Sequence, residues 1–112
     1  MATVRQERVA KLLQKEIGDI FLFKGKILFG NAFITVTGVR ITPDLSLARV
    51  HVSLFKAADS AALLKLIKEH TKDIRRELGN RVGKQLRITP ALEFFIDDSL
   101  DYVEKIENLL KK

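Results

Sequence analysis

The stretch Lys72–Phe95, KDIRRELGNRVGKQLRITPALEFF, constrains the fold more than any other part of the chain. Ile74, Leu78, Val82 and Leu86 recur every four residues and line one face of a helix. Thr89-Pro90 stops that helix, because proline lacks a backbone donor and drives the residue before it into extended backbone. Leu92, Phe94 and Ile96 then alternate with Glu93, Phe95 and Asp97, the period of a half-buried strand. Both apolar stripes need cover, so the helix and the strand are expected to bury them in one layered core.

The rest of the chain supplies the partners for those two faces. Val9, Leu12, Leu13, Ile17, Ile20 and Phe21 predict a first helix from about Val4 to Leu22, and Lys24–Asn31, with Gly25, Gly30 and Asn31, reads as a loop. Phe33–Ile41 is rich in β-branched residues; Ile34 and Val36 alternate in phase, Val39 and Ile41 continue one residue out of step, and a β-bulge is predicted at Gly38. Thr42-Pro43-Asp44 carries turn chemistry and predicts a short hairpin into a second strand, Ser46–Phe55. That strand sets Ala48, Val50, Val52 and Leu54 on one face and Arg49, His51 and Ser53 on the other.

Asp59 or Ser60 can cap the next helix, which buries Leu63, Leu66, Ile67, Ile74 and Leu78 and continues to about Leu86. Gly79 and Gly83 each weaken helix by roughly 1 kcal/mol relative to alanine, so a kink or a break into two helices is predicted. Asp97-Asp98-Ser99 offers N-caps to a last helix with Leu100, Val103, Ile106 and Leu110 on its apolar side. The expected architecture is α+β: α-β-β-α(kinked)-β plus a C-terminal helix, with helices on one face of a three-stranded sheet. One domain spanning residues 1–112 accounts for it, in the element order of a type II KH domain.

Charge narrows the partner. Twenty Lys+Arg against fourteen Asp+Glu give a net charge of +6, which suits a polyanion whose condensed counterions are released on binding. Residues 93–112 hold three more acids than bases, so the first 92 carry an excess of nine positive charges. Basic charge is thus excluded from the C-terminal segment. Arg75, Arg76, Arg81, Lys84 and Arg87 form the leading candidate RNA-contacting set; Arg5, Arg8 and Lys11, with Lys15, form a basic ridge on the first helix, and Lys24 and Lys26 extend it. Each of the helical arginines could instead pair with Glu69, Asp73 or Glu77, and the ridge also suits a merely solvated face.

Other chemistries find little support. With no cysteine there is no disulfide framework or thiol nucleophile, and His51 and His70 lack a second ligand at metal spacing. Asp97-Asp98 reads as a helix cap rather than an acid/base pair, and no phosphate loop, nucleophile elbow or triad is present, so neither an enzyme nor a cofactor site is expected. The charged N-terminus is unlike a signal peptide, and no run of ~18 apolar residues occurs; a soluble cytoplasmic protein without membrane contact is expected. Phe95 is expected to lie under the terminal helix, with base stacking as the alternative.

The ordered set Arg8-Val9, Gln14-Lys15-Glu16-Ile17, Gly38-Val39, Asp44-Leu45, Ala48-Arg49-Val50, Ile74-Arg75, Leu78-Gly79, Leu86-Arg87-Ile88, Pro90, Leu92, Phe94-Phe95, Asp97 and Ser99 resembles the bacterial ribosome-binding factor A family. The resemblance implies a KH-like fold in which a kinked helix, commonly with Ala-x-Gly at the kink, replaces the GxxG loop. His70-Thr71-Lys72 stands at that place here, with neither alanine nor glycine. It also implies a monomer that binds 16S rRNA in the immature 30S small subunit and assists late maturation and rRNA processing without catalysis, with a remodelling GTPase as a candidate for its release. Two other classes stay open: a general single-stranded RNA or DNA binder, and a basic adaptor for an acidic protein.

Overall fold

The structure, a computed structural model, describes residues 3–28, 34–54 and 59–97, without the side chains of 26–28. Its elements are α1 (Val4–Leu28), β1 (Thr35–Ile41), β2 (Leu47–Ser53), α2 (Ser60–Glu69), α3 (Thr71–Val82) and β3 (Ala91–Ile96). The sheet order is β1-β2-β3, with β1 antiparallel and β3 parallel to β2. A parallel neighbour needs a long crossover, which α2 and α3 provide. The α+β class and the α-β-β-α-α-β order match the expectation; the last helix expected after Asp97 lies outside the described residues.

Ala48, Val50 and Val52 of β2 are fully buried and, with Val36, Leu92 and Phe94, make the inner sheet face. Leu13, Ile17 and Ile20 of α1, Ile67 of α2, and Ile74, Leu78 and Val82 of α3 cover it. Phe21 meets Phe94 edge-on, ring centroids 6.0 Å apart, a favoured aromatic geometry. Arg49, His51, Glu93 and Phe95 alternate onto the opposite face, which no described element covers. The three described helices therefore lie on one side of the sheet.

The β1–β2 ladder slips between Val36 and Gly38, as the phase change predicts, and Thr37 is the extra residue. Its hydroxyl donates to Asp97 Oδ2 at 2.7 Å, tying the bulge to the end of β3. At the hairpin turn Leu45 adopts φ 61°, a left-handed conformation that a side chain pays for sterically. Asp44 Oδ1 accepts from the Thr42 hydroxyl (2.7 Å), the Ser46 hydroxyl (2.8 Å) and the Ser46 N–H (3.1 Å). These donors, the Thr42 hydroxyl first, hold the Asp44 carboxyl below its ordinary value of 3.8. A depressed folded-state pKa gives stability that is present above the ordinary value and lost as pH falls through the folded one. Thermal melts of the parent and of Asp44→Asn should therefore converge only below pH 3.8; a gap that stays constant from neutral to strong acid would contradict this.

Three boundaries differ from those the sequence predicts. α1 does not stop near Leu22 but runs through Gly25 to Leu28, because Lys24 Nζ lies 4.0 Å from Glu77 and Phe23 lies against Arg81. Such tertiary contacts offset the roughly 1 kcal/mol glycine penalty. The long second helix does divide in two, and it does so at His70, away from both glycines: His70 sits at φ −97°, ψ 12° between α2 and α3. The Thr71 hydroxyl donates to the Lys68 carbonyl at 2.8 Å, offering the backbone a local alternative to the helical ladder. α3 closes at Val82, four residues before Leu86, with Gly83 at its C-cap.

Candidate nucleic-acid interface

α1 and α3 pack against each other over the sheet, so their outward faces share one surface. On α1 the buried stripe Val9, Leu13, Ile17, Ile20 leaves Arg8, Lys11 and Lys15 on the opposite side, all exposed, with Arg5 exposed in the first turn. On α3 the stripe Ile74, Leu78, Val82 leaves Lys72 and Arg76 outward, one turn apart, and Lys84 and Arg87 follow in the exposed segment beyond it. None of these eight side chains forms an ion pair among the described residues. Lys72, and Lys68 across the break at His70, stand outside the candidate set that the sequence supplies. The signal for Lys72 was its i, i+4 spacing to Arg76.

Two members of the leading set have structural partners instead. Arg75 donates from Nε to the Pro90 carbonyl at 3.1 Å and from Nη2 to the Thr89 carbonyl at 2.6 Å, clamping the entry of β3 onto α3. The planar fork holds its donors in fixed directions, so both carbonyls are satisfied with little further loss of side-chain freedom. Arg81 lies between Glu77 (3.4 Å) and Glu16 (3.6 Å), with its guanidinium carbon 5.9 Å from the Phe23 ring centre. It joins α3 to α1 and is neutralised by that joint. Lys24 is engaged with Glu77, and the side chain of Lys26 lies outside the described residues.

Gly79 explains how the segment before β3 comes so close. A Cβ there would meet Thr89 Oγ1 at 3.0 Å. Alanine gains roughly 1 kcal/mol of helix propensity and displaces only a rotatable hydroxyl, so Gly79→Ala should be close to neutral. Gly79→Leu must push Thr89 and Pro90 off α3 and break both Arg75 bonds, at a cost of about 2 kcal/mol. Chemical denaturation of the two variants checks the contact; a leucine variant as stable as the parent would contradict it.

The outer sheet face is a poorer polyanion surface. Arg49 pairs with Glu93 at 3.7 Å, and His51 stacks on Phe95 with ring centroids 5.5 Å apart. Phe95 keeps 40% of its surface exposed; the terminal helix expected over it lies outside the described residues. Among the described residues no group of three His, Cys, Asp or Glu side chains could hold a metal, and no helix is long and apolar enough to cross a membrane.

Comparison with known proteins places this geometry. The family model described as ribosome-binding factor A matches residues 5–110. A ribosome-binding factor A of Cytophaga hutchinsonii is 47% identical over 112 residues, covering 100% of this chain and 84% of the relative. The crystal structure of ribosome-binding factor A from Thermus thermophilus superposes with a TM-score of 0.68 at 21% identity, over 81% of this chain and 94% of that one. A homology model of the T. thermophilus factor, fitted into the cryo-EM map of a 30S complex, gives a TM-score of 0.63 at 23% identity, over 80% and 91% of the two chains. The two structures carry the fold and the sequence matches carry the family: matched by the family model over residues 5–110, this chain belongs to the ribosome-binding factor A family.

Proposed function

We propose that the chain is a single KH-like RNA-binding domain that acts as a monomer on the immature 30S subunit, holding 16S rRNA during late maturation and rRNA processing without catalysing a reaction. The observation that carries this is the two-helix surface on which Arg8, Lys11, Lys15, Lys72 and Arg76 stand exposed and unpaired among the described residues. Exposed cations without carboxylate partners are free to displace counterions from phosphate. Family membership and the 30S complex of the T. thermophilus relative support the 30S subunit as the site of action.

Phosphate contacts of this kind fix position and register, not sequence. The binding set therefore becomes Arg76, Lys84, Arg87, Arg5, Arg8 and Lys11, with Lys15 and Lys72. Arg75 and Arg81 hold α3 in place and act through it. A remodelling GTPase suits the release step, because many weak phosphate contacts are lost together when the subunit surface changes shape. Sedimentation of cell extract tests the proposal in the cytoplasm where it would act. The protein should travel with free small subunits and be depleted from mature ribosomes; an even spread over bulk RNA would favour a general single-strand binder and contradict it.

A further inference from the structure

The start of α1, the β1–β2 turn and the segment after α3 meet around a groove of about 240 Å³. That is below the roughly 300–1,000 Å³ of sites for drug-sized ligands, and it suits one ring system with its sugar. Arg5 and Arg87 stand on its rim, brought together from opposite ends of the chain, and neither forms an ion pair among the described residues. Leu45, Leu86 and Ile88 supply an apolar wall, and the exposed Gln85 offers both an amide donor and an acceptor.

Three features set this groove apart from ordinary surface. Ile88 is 72% exposed beside the cationic Arg87, where the core gains nothing from it. Leu45 is the one non-glycine residue with positive φ among the described residues, and strain of that kind persists where a ligand clamp needs it. Asp44, the acid on the rim, has Oδ1 occupied by three donors of its own turn. A closed RNA helix could not use an apolar wall, because its bases face one another; a splayed-out base can.

We propose that this groove takes one unstacked nucleotide of single-stranded rRNA, its base against Ile88 and Leu45 and its phosphates between Arg5 and Arg87. The inference rests on the rRNA-binding function proposed above and adds to it a place where base shape, not only phosphate charge, is sensed. Apolar contact with a base is independent of ions, whereas each arginine contact adds to the salt dependence.

The test is equilibrium binding of the full chain to purified bacterial small ribosomal subunits across a salt series, with melting temperatures confirming each variant's fold. Ile88→Ser should weaken binding about tenfold at every salt concentration and leave the salt slope unchanged, and Ile88→Phe should restore it. Arg5→Gln with Arg87→Gln should lower the slope by about two. A benzophenone side chain at position 88 should crosslink to 16S rRNA. Parent-like binding by Ile88→Ser, while Arg76→Gln with Lys84→Gln still lowers the slope, would overturn the groove and leave rRNA binding standing. A crosslink to a ribosomal protein would overturn it too. Flat salt dependence in the parent would remove the rRNA reading, and the groove with it.

Discussion

Leu78→Ala is expected to lower the stability of the fold by about 2–5 kcal/mol, as for other fully buried leucines. Leu78 is 0% exposed at the middle of α3, between Ile74 and Val82 on the face that meets α1 and the sheet. Truncation removes the transfer energy of the lost carbons and leaves a cavity that a helix clamped at both flanks cannot collapse to fill. The flanks are the Arg81 joint to α1 and the Arg75 bonds to Thr89 and Pro90. In urea the midpoint should fall with the slope unchanged. The same change at Leu22, 75% exposed, should stay within about 0.5 kcal/mol. Equal effects at the two positions would mean that α3 is not seated as described.

Neutralising Arg8, Lys11, Arg76 and Lys84 together is expected to abolish most small-subunit binding while leaving the melting temperature nearly unchanged. These side chains are exposed and make no ion pair among the described residues, so folding loses little when they go. Binding loses one counterion-release contribution per phosphate contact. Four removed contacts should reduce the slope of log affinity against log salt by about three to four. Arg81→Gln makes the useful contrast. It leaves Glu16 without its cation and Glu77 with Lys24 alone, so its first effect should be on stability, by the order of 1 kcal/mol for a partly exposed pair. If Arg81→Gln lost binding at full stability, Arg81 would belong to the interface after all.

Much of this was legible in local patterning. The helix itself ends earlier, at Val82, but the start of β3 at Ala91, directly after Pro90, was legible because proline acts on its own neighbours. The bulge beside Gly38 showed as a phase slip for the same reason, since strand period is a local property. Arg76 and Lys11 could be placed on outward arcs by helical spacing alone. What escaped depends on contacts between distant parts of the chain. α1 continues past Gly25 because Glu77 and Arg81 of another helix hold its last turns. Arg75 and Arg81 lie on the flanks of α3, where a helical wheel cannot tell a solvated cation from one facing a carbonyl or a carboxylate. The break at His70 falls where the family resemblance puts the kink, but no glycine announces it, and the Thr71 hydroxyl's bond to the preceding turn is visible only in the folded backbone. The groove between Arg5 and Arg87 joins residues that nothing in the sequence connects.

In the proposed function, unpaired cations on the α1–α3 surface grip rRNA phosphates. The most direct test is the affinity of the full chain for purified small subunits as salt is raised from roughly 50 to 200 mM. Six or more such contacts predict a loss of about a thousandfold over that range. An affinity that stays flat would contradict the account and leave an uncharged protein contact as the basis of binding.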